Sequence, residues 1–258
     1  MIDSHCHLNY IENSGTINDL VTNASENGVH TIINIGTDLK SSQTSVDLSK
    51  RFVSVFATVG IHPSDSKHAD DKTLETIKEL SKEKKVVAIG EIGLDYYRDY
   101  SPRDVQKKIF IRQLEMAVET RLPIVIHTRE AFDDTYDIVK EYAPDIPGGV
   151  FHCFPGTVAE AEKVFNLGFV ISVGGVITYK KATMADVARD VPLDKILLET
   201  DAPFLTPVPF RGKTNRPALV KYVYQHLADL KQLEFSEVEK TVDRTVQKLF
   251  KLVEMFGE

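Results

Sequence analysis

Cysteine is scarce in this chain: among 258 residues only Cys6 and Cys153 are present. Two thiols make no disulfide framework, and the expected compartment is the reducing cytoplasm. Positive charge is also short, with 31 Lys and Arg against 38 Asp and Glu and a net charge of −7. That balance argues against a protein that grips long duplex DNA by bulk electrostatics, which normally shows a basic face. A phosphate-bearing substrate stays open, because bound cations can supply positive charge locally. No apolar run approaches the roughly 20 residues of a membrane span. No basic region followed by a hydrophobic stretch marks a signal peptide. Neither membrane contact nor an obligatory protein partner is expected. Low-complexity segments and separating linkers are missing too, so residues 1–258 read as a single domain.

What the chain does have is a repeating unit of strand then helix. Hydrophobic residues at 42% and charged residues at 27% are ordinary for a globular protein with a substantial core. Apolar runs at 29–36, 52–60, 86–90, 122–126, 149–151, 169–173 and 195–199 read as buried strands, and Met1 to His7 as the first. Helical spacing lies between them: Ile17, Leu20, Val21 and Ala24 before Gly28, a weak pattern at Val46 and Leu48, then Leu74, Ile77 and Leu80. Ser101-Pro102 reads as the cap of the next helix, and Thr157 with Glu160 as a capping box. Two helices close the chain, the second with Ser236 as cap and a stripe of Val238, Val242, Leu249 and Val253. Eight such units predict α/β architecture with a parallel sheet, and eight is the number that closes a (β/α)8 TIM barrel. An open doubly wound sheet is the rival, but no glycine-rich dinucleotide fingerprint follows the first strand.

The chemistry sits at the strand ends. Strand alternation puts His5 and His7 on one face with Cys6 on the other. Strand four ends in Glu91, strand five in His127, strand six in His152 and strand eight in Asp201. In a barrel these ends converge on one mouth. Four imidazoles and two carboxylates gathered there are costly to desolvate unless they share metal ions. Six donors suit two cations better than one, because a carboxylate can bridge them. Zinc, manganese, nickel, iron and, loosely, magnesium fit this mixture of donors.

These residues carry a family resemblance. His5-Cys6-His7, Gly60-Ile61-His62-Pro63, the run from Gly90 to Tyr97, Ile126-His127, His152-Cys153-Phe154 and Thr200-Asp201-Ala202-Pro203 resemble the TatD-type deoxyribonucleases of the amidohydrolase-like superfamily. Arg211-Gly212-Lys213-Thr214-Asn215 also matches, and the likeness runs the length of the chain in order. It implies a TIM barrel, two divalent cations and hydrolysis of DNA phosphodiesters. It further implies that His5, His7 and Asp201 hold one cation, that His127 and His152 hold the other, and that Glu91 bridges. Pro155 departs from the small polar residue common in the family, and residues 244–246 do not supply a C-terminal Asn.

The expected reaction is attack of a two-metal-activated water on DNA, with Asp201 orienting it and accepting its proton. A barrel mouth admits a strand end more readily than stiff duplex, so exonuclease-like preference for single-stranded DNA is expected. His62, Arg129, Arg211 and Lys213 are the candidate substrate contacts. Cys6 and Cys153 are expected to pack away from the mouth. The run from Lys82 to Lys85 reads as a solvated helix end. Two other readings remain. One is hydrolysis of a carboxylic ester, lactone or aminoacyl-tRNA ester; the other is a non-catalytic binding protein on the same fold.

Overall fold

Apolar runs become eight parallel strands, from three residues long in β6 to ten in β4. The computed structural model describes residues 1–11 and 15–252. The strands are β1 (Ile2–Cys6), β2 (Thr31–Asn34), β3 (Val55–Val59), β4 (Val86–Asp95), β5 (Ile124–Arg129), β6 (Gly149–Phe151), β7 (Val170–Val173) and β8 (Ile196–Leu198). Each pairs with its successor, in the order β1 to β8. The seam between β8 and β1 is closed beyond the regular ladder. Cys6 and Ala202 form a parallel bridge, His7 N donates to Ala202 O at 2.8 Å, and Asp201 N donates to His5 O at 2.9 Å. The result is a (β/α)8 TIM barrel.

The helices cover the outside: α1 (Ile17–Glu26), α2 (Leu39–Arg51), α3 (Asp71–Leu80), α4 (Arg103–Thr120), α5 (Phe132–Tyr142), α6 (Val158–Asn166), α7 (Thr183–Asp190), α8 (Val220–Lys231) and α9 (Phe235–Leu249). Parallel strands flanked in this way are buried on both faces and read as continuous apolar runs. Ile33, Ile89, Ile124, Val125 and Leu197 are completely buried. Each such side chain contributes roughly 1.5–3 kcal/mol of transfer free energy. Among the described residues, no helix is long and apolar enough to cross a membrane.

Several local expectations are corrected. Glu91 does not end β4; the strand continues to Asp95, and beyond a register shift after Ile89 it pairs Gly93 with His127 and Asp95 with Arg129. His127 is therefore also interior to its strand. Ser101 does not cap α4: Pro102 takes that place, while Ser101 Oγ donates to Ser64 O and accepts from Lys67 N. Ser236 lies inside α9, whose N-cap is Glu234, and Glu239 Oε1 instead accepts from the Met1 ammonium at 2.6 Å. Lys85 is not solvated: its Nζ donates to the carbonyls of Ser49, Phe52 and Val53 at the C-terminal end of α2, and burial pushes its pKa down to about 8. The capping box of Thr157 and Glu160 is present at α6. Val253 lies outside the described residues.

Candidate metal centre

β1, β4 and β5, with the residues just past β6 and β8, deliver side chains to one point at the mouth, and Glu91 is its middle. Oε1 of Glu91 lies 2.9 Å from His152 Nε2 and 3.0 Å from His127 Nδ1. Oε2 faces the other way, 3.5 Å from His5 Nε2 and 3.7 Å from His7 Nε2. Asp201 Oδ1 completes that second side, 3.6 Å from His5 Nε2 and 3.4 Å from His7 Nε2. The two nitrogens of His5 and His7 are themselves only 3.2 Å apart. The cluster thus has two lobes, one on each oxygen of a single carboxylate.

A divalent metal fits these donors. A tetrahedral zinc with bonds near ~2.1 Å holds its ligand atoms about 3.4 Å apart. The donor separations on the Glu91 Oε2 side run from 3.2 to 3.7 Å, close to that spacing. His5 Nδ1 and His7 Nδ1 are buried with no hydrogen-bond partner. Among the described residues, the groupings able to hold an ion include His5 with His7 and Glu91, Glu91 with His127 and His152, and His5 with His152 and Asp201.

The electrostatics follow from packing acids and imidazoles together out of water. Burial pushes the Glu91 carboxyl up, but the charge of His152 and hydrogen bonds from His127 and His152 outweigh it and hold it well below its ordinary range. Burial likewise pushes Asp201 up, and His7 and His5 bring it below normal. Burial and the charge of His152 lower His5. Burial and the charge of His127 drive His62 down to about 3, so this ring is neutral. Both acids are ionised at neutral pH, the form a cation requires.

The mouth opens into a cavity of about 840 Å³. His62 lines it with Nε2 3.5 Å from Glu91 Oε1, and Arg129 lines it with its guanidinium 3.9 Å above the Tyr97 ring. Arg211 and Lys213 are not among its lining residues; they sit over Tyr179 at 4.5 Å and Phe210 at 5.8 Å. Cys6 is buried in the core as expected. Cys153 lines the cavity instead of turning away: β6 has ended at Phe151, and Cys153 adopts a φ of 43°, so strand alternation no longer applies.

The sequence matches the family described as TatD related DNase over residues 2–251. The chain belongs to the TatD family. It is 38% identical over 253 residues to YabD of Bacillus subtilis, an uncharacterized metal-dependent hydrolase, covering 98% of this chain and 99% of that one. It is 33% identical over 239 residues to the 3'-5' ssDNA/RNA exonuclease TatD of Shigella flexneri, covering 90% and 92% of the two chains. The crystal structure of the TatD homologue YJJV from Escherichia coli K12 superposes with a TM-score of 0.91 at 32% identity, over 97% and 98% of the two chains. The chain is therefore a metal-dependent hydrolase acting on ester bonds, and a divalent metal is its cofactor.

Two acids of this TatD chain escaped the sequence reading. Glu199 is completely buried behind His152, with Oε1 3.5 Å from His152 Nδ1. It also accepts from Cys153 N at 2.9 Å and from Ser172 Oγ at 2.5 Å. In sequence it is the last residue of an apolar strand, two places before Asp201, and that period-2 spacing was the available signal. Asp95, which entered the sequence reading only within the run from Gly90 to Tyr97, has its Oδ2 3.1 Å from His127 Nε2. Lys67, His68, Arg98, Tyr10 and Phe204 also line the cavity.

Proposed function

We propose that this chain, residues 1–258 as one hydrolase domain, cleaves DNA phosphodiester bonds with two divalent cations, acting as an exonuclease that prefers single strands. The two-lobed cluster on Glu91 carries this reading. His5, His7 and Asp201 would hold one cation, His127 and His152 the other, with Glu91 shared. Zinc, manganese, nickel, iron and magnesium remain the candidate metals. Bound there, the cations would activate water and stabilise negative charge on the transferring phosphoryl group.

The protein's own residues do the rest. Asp201 is kept ionised by His7 and His5 and is the group suited to orient the attacking water and take its proton. Arg129, stacked on Tyr97, is fixed where a phosphate oxygen enters the cavity. Neutral His62 has its Nδ1 occupied as acceptor of Ser64 N–H, so Nε2 presents a proton toward the cluster. Tyr10 and Phe204, each well exposed at the rim, flank His7 with ring centroids at 5.4 and 6.3 Å. Such rings are stacking platforms for unpaired bases. The relative named 3'-5' ssDNA/RNA exonuclease supports the same substrate class.

The test is a panel of linear and closed-circular single-stranded DNA, duplex DNA, RNA, and carboxylic and aminoacyl esters, given to pure metal-loaded protein. Faster cutting of linear single strands is expected, lost in Glu91→Ala and Asp201→Ala. Equal cutting of circles and linear strands rejects the end preference. Activity confined to esters rejects the nuclease. Cleavage unchanged in both variants assigns it to a contaminant.

A further inference from the structure

Asp95 is a buried acid with its two oxygens committed in different directions. It is only 1% exposed, at the end of β4. Oδ1 accepts from Tyr97 N at 3.1 Å and Arg98 N at 2.8 Å. Gln106 clamps its backbone from α4, accepting from Asp95 N at 2.9 Å and donating to Asp95 O at 3.1 Å. Oδ2 is left to face His127 Nε2 at 3.1 Å. The other nitrogen of that ring, Nδ1, is the one 3.0 Å from Glu91 Oε1.

An ionised carboxylate only accepts, so the ring must donate from Nε2. A neutral imidazole that donates from Nε2 carries no proton on Nδ1. A cation held among His62, Asp95 and His127, whose donor atoms also cluster, is the competing arrangement. It fails on His62: with Nδ1 accepting from Ser64 N at 3.1 Å, His62 bears its proton on Nε2 and offers no lone pair there.

We propose that Asp95 is a positioning residue that fixes His127 as the Nε2–H tautomer, leaving Nδ1 free to bind a divalent cation beside Glu91. This rests on the reading of His127 as a ligand. Carboxylates behind ligating imidazoles set tautomer and ring orientation in this manner.

Asp95→Asn separates this role from simple support of the turn. The amide oxygen can still accept from Tyr97 and Arg98 N–H, so the turn is kept. The amide nitrogen then points N–H at His127 Nε2, where two donors meet. The ring relieves this by moving its proton to Nδ1, the wrong nitrogen for the cation.

The experiment measures zinc affinity of the full chain by chelator competition, together with 15N imidazole resonances of the zinc-loaded protein. In the wild type, His127 is expected protonated on Nε2 and zinc-bound through Nδ1. In Asp95→Asn, zinc affinity falls about 10–100-fold with an unchanged circular dichroism spectrum. Added to His127→Ala, Asp95→Asn costs nothing further. Wild-type zinc retention in Asp95→Asn, with His127→Ala impaired, overturns the proposal and leaves Asp95 a turn residue. So does a wild-type spectrum with Nε2 on the zinc, which requires no variant. Wild-type retention in His127→Ala itself overturns the ligand reading, and this inference with it.

Discussion

Stripping divalent metal from the purified chain should lower its melting temperature, and Glu91→Ala should abolish that dependence. The reasoning starts from Glu91 having one oxygen in each lobe of the cluster, 2.9 Å from His152 and 3.5 Å from His5. A ligand that binds only the folded state stabilises it by mass action, about 2.7 kcal/mol when present at a hundred times its Kd. For a chain of this size each kcal/mol moves the melting temperature by about 2–4 °C. For each cation so held, the chelated wild type should therefore melt about 5–11 °C below the loaded protein. Without Glu91 each lobe loses its carboxylate oxygen, and the two melting curves of the variant should superpose. Scanning calorimetry with and without chelator reads this, with elemental analysis to establish metal content. A wild type whose melting is indifferent to complete metal removal refutes the reasoning. So does a Glu91→Ala protein that retains the full shift.

Glu199→Gln can keep Cys153 N–H and Ser172 bonded, so its stability should stay within about 1 kcal/mol of wild type, while loss of the charge behind His152 lowers metal affinity or activity about 10–100-fold; denaturant titration and metal competition check the two halves. Glu199→Ala leaves Ser172 Oγ without its acceptor, while Cys153 N keeps its 3.2 Å bond to Ser172 Oγ, and should cost about 1–3 kcal/mol. Gly93→Ala places a Cβ 2.0 Å from His127 O at a φ of +139°, so the variant should lose about 2–5 kcal/mol in urea unfolding. Burial pushes Asp243 up, but hydrogen bonds from His30 and Tyr224 and the N-terminal ammonium hold it below its ordinary value. The unfolded chain takes up that proton first, so this stabilisation is complete above about pH 4 and is lost as pH falls through the depressed folded value. Urea midpoints measured from pH 5 downward should fall more steeply for wild type than for Asp243→Asn; parallel slopes count against it.

Most of the barrel was legible because strands buried on both faces announce themselves as apolar runs, and helices between them keep a period of 3.6. The mouth was legible for a related reason: His152 and Asp201 stand where apolar strands stop. The extension of β4 was not. Gly93 and Asp95 look like a turn, and only pairing with His127 and Arg129 across β5 draws them into the sheet. Ser101 was misread because Pro at a first helical position fits a capping Ser equally well, and the partner that claims Ser101, the carbonyl of Ser64, is 37 residues away. Lys85 was misread because three lysine-rich neighbours look solvated, whereas the carbonyls it caps belong to a different helix. Glu199 was hidden inside an apolar run, since its role depends on His152, a residue from another strand.

The seam between the first and last strands gives the fold an order of completion. β1 and β8 meet through Thr200 and Asp3, with Thr200 N donating to Asp3 Oδ1 at 2.9 Å and Thr200 Oγ1 to Asp3 Oδ2 at 2.7 Å. His5 and His7 stand on one bank of that seam and Asp201 on the other. During synthesis the histidines emerge first, and Asp201 arrives only after almost two hundred further residues. A growing or truncated polypeptide therefore lacks one bank of this cluster, which is assembled only when the ring of strands has been buckled shut.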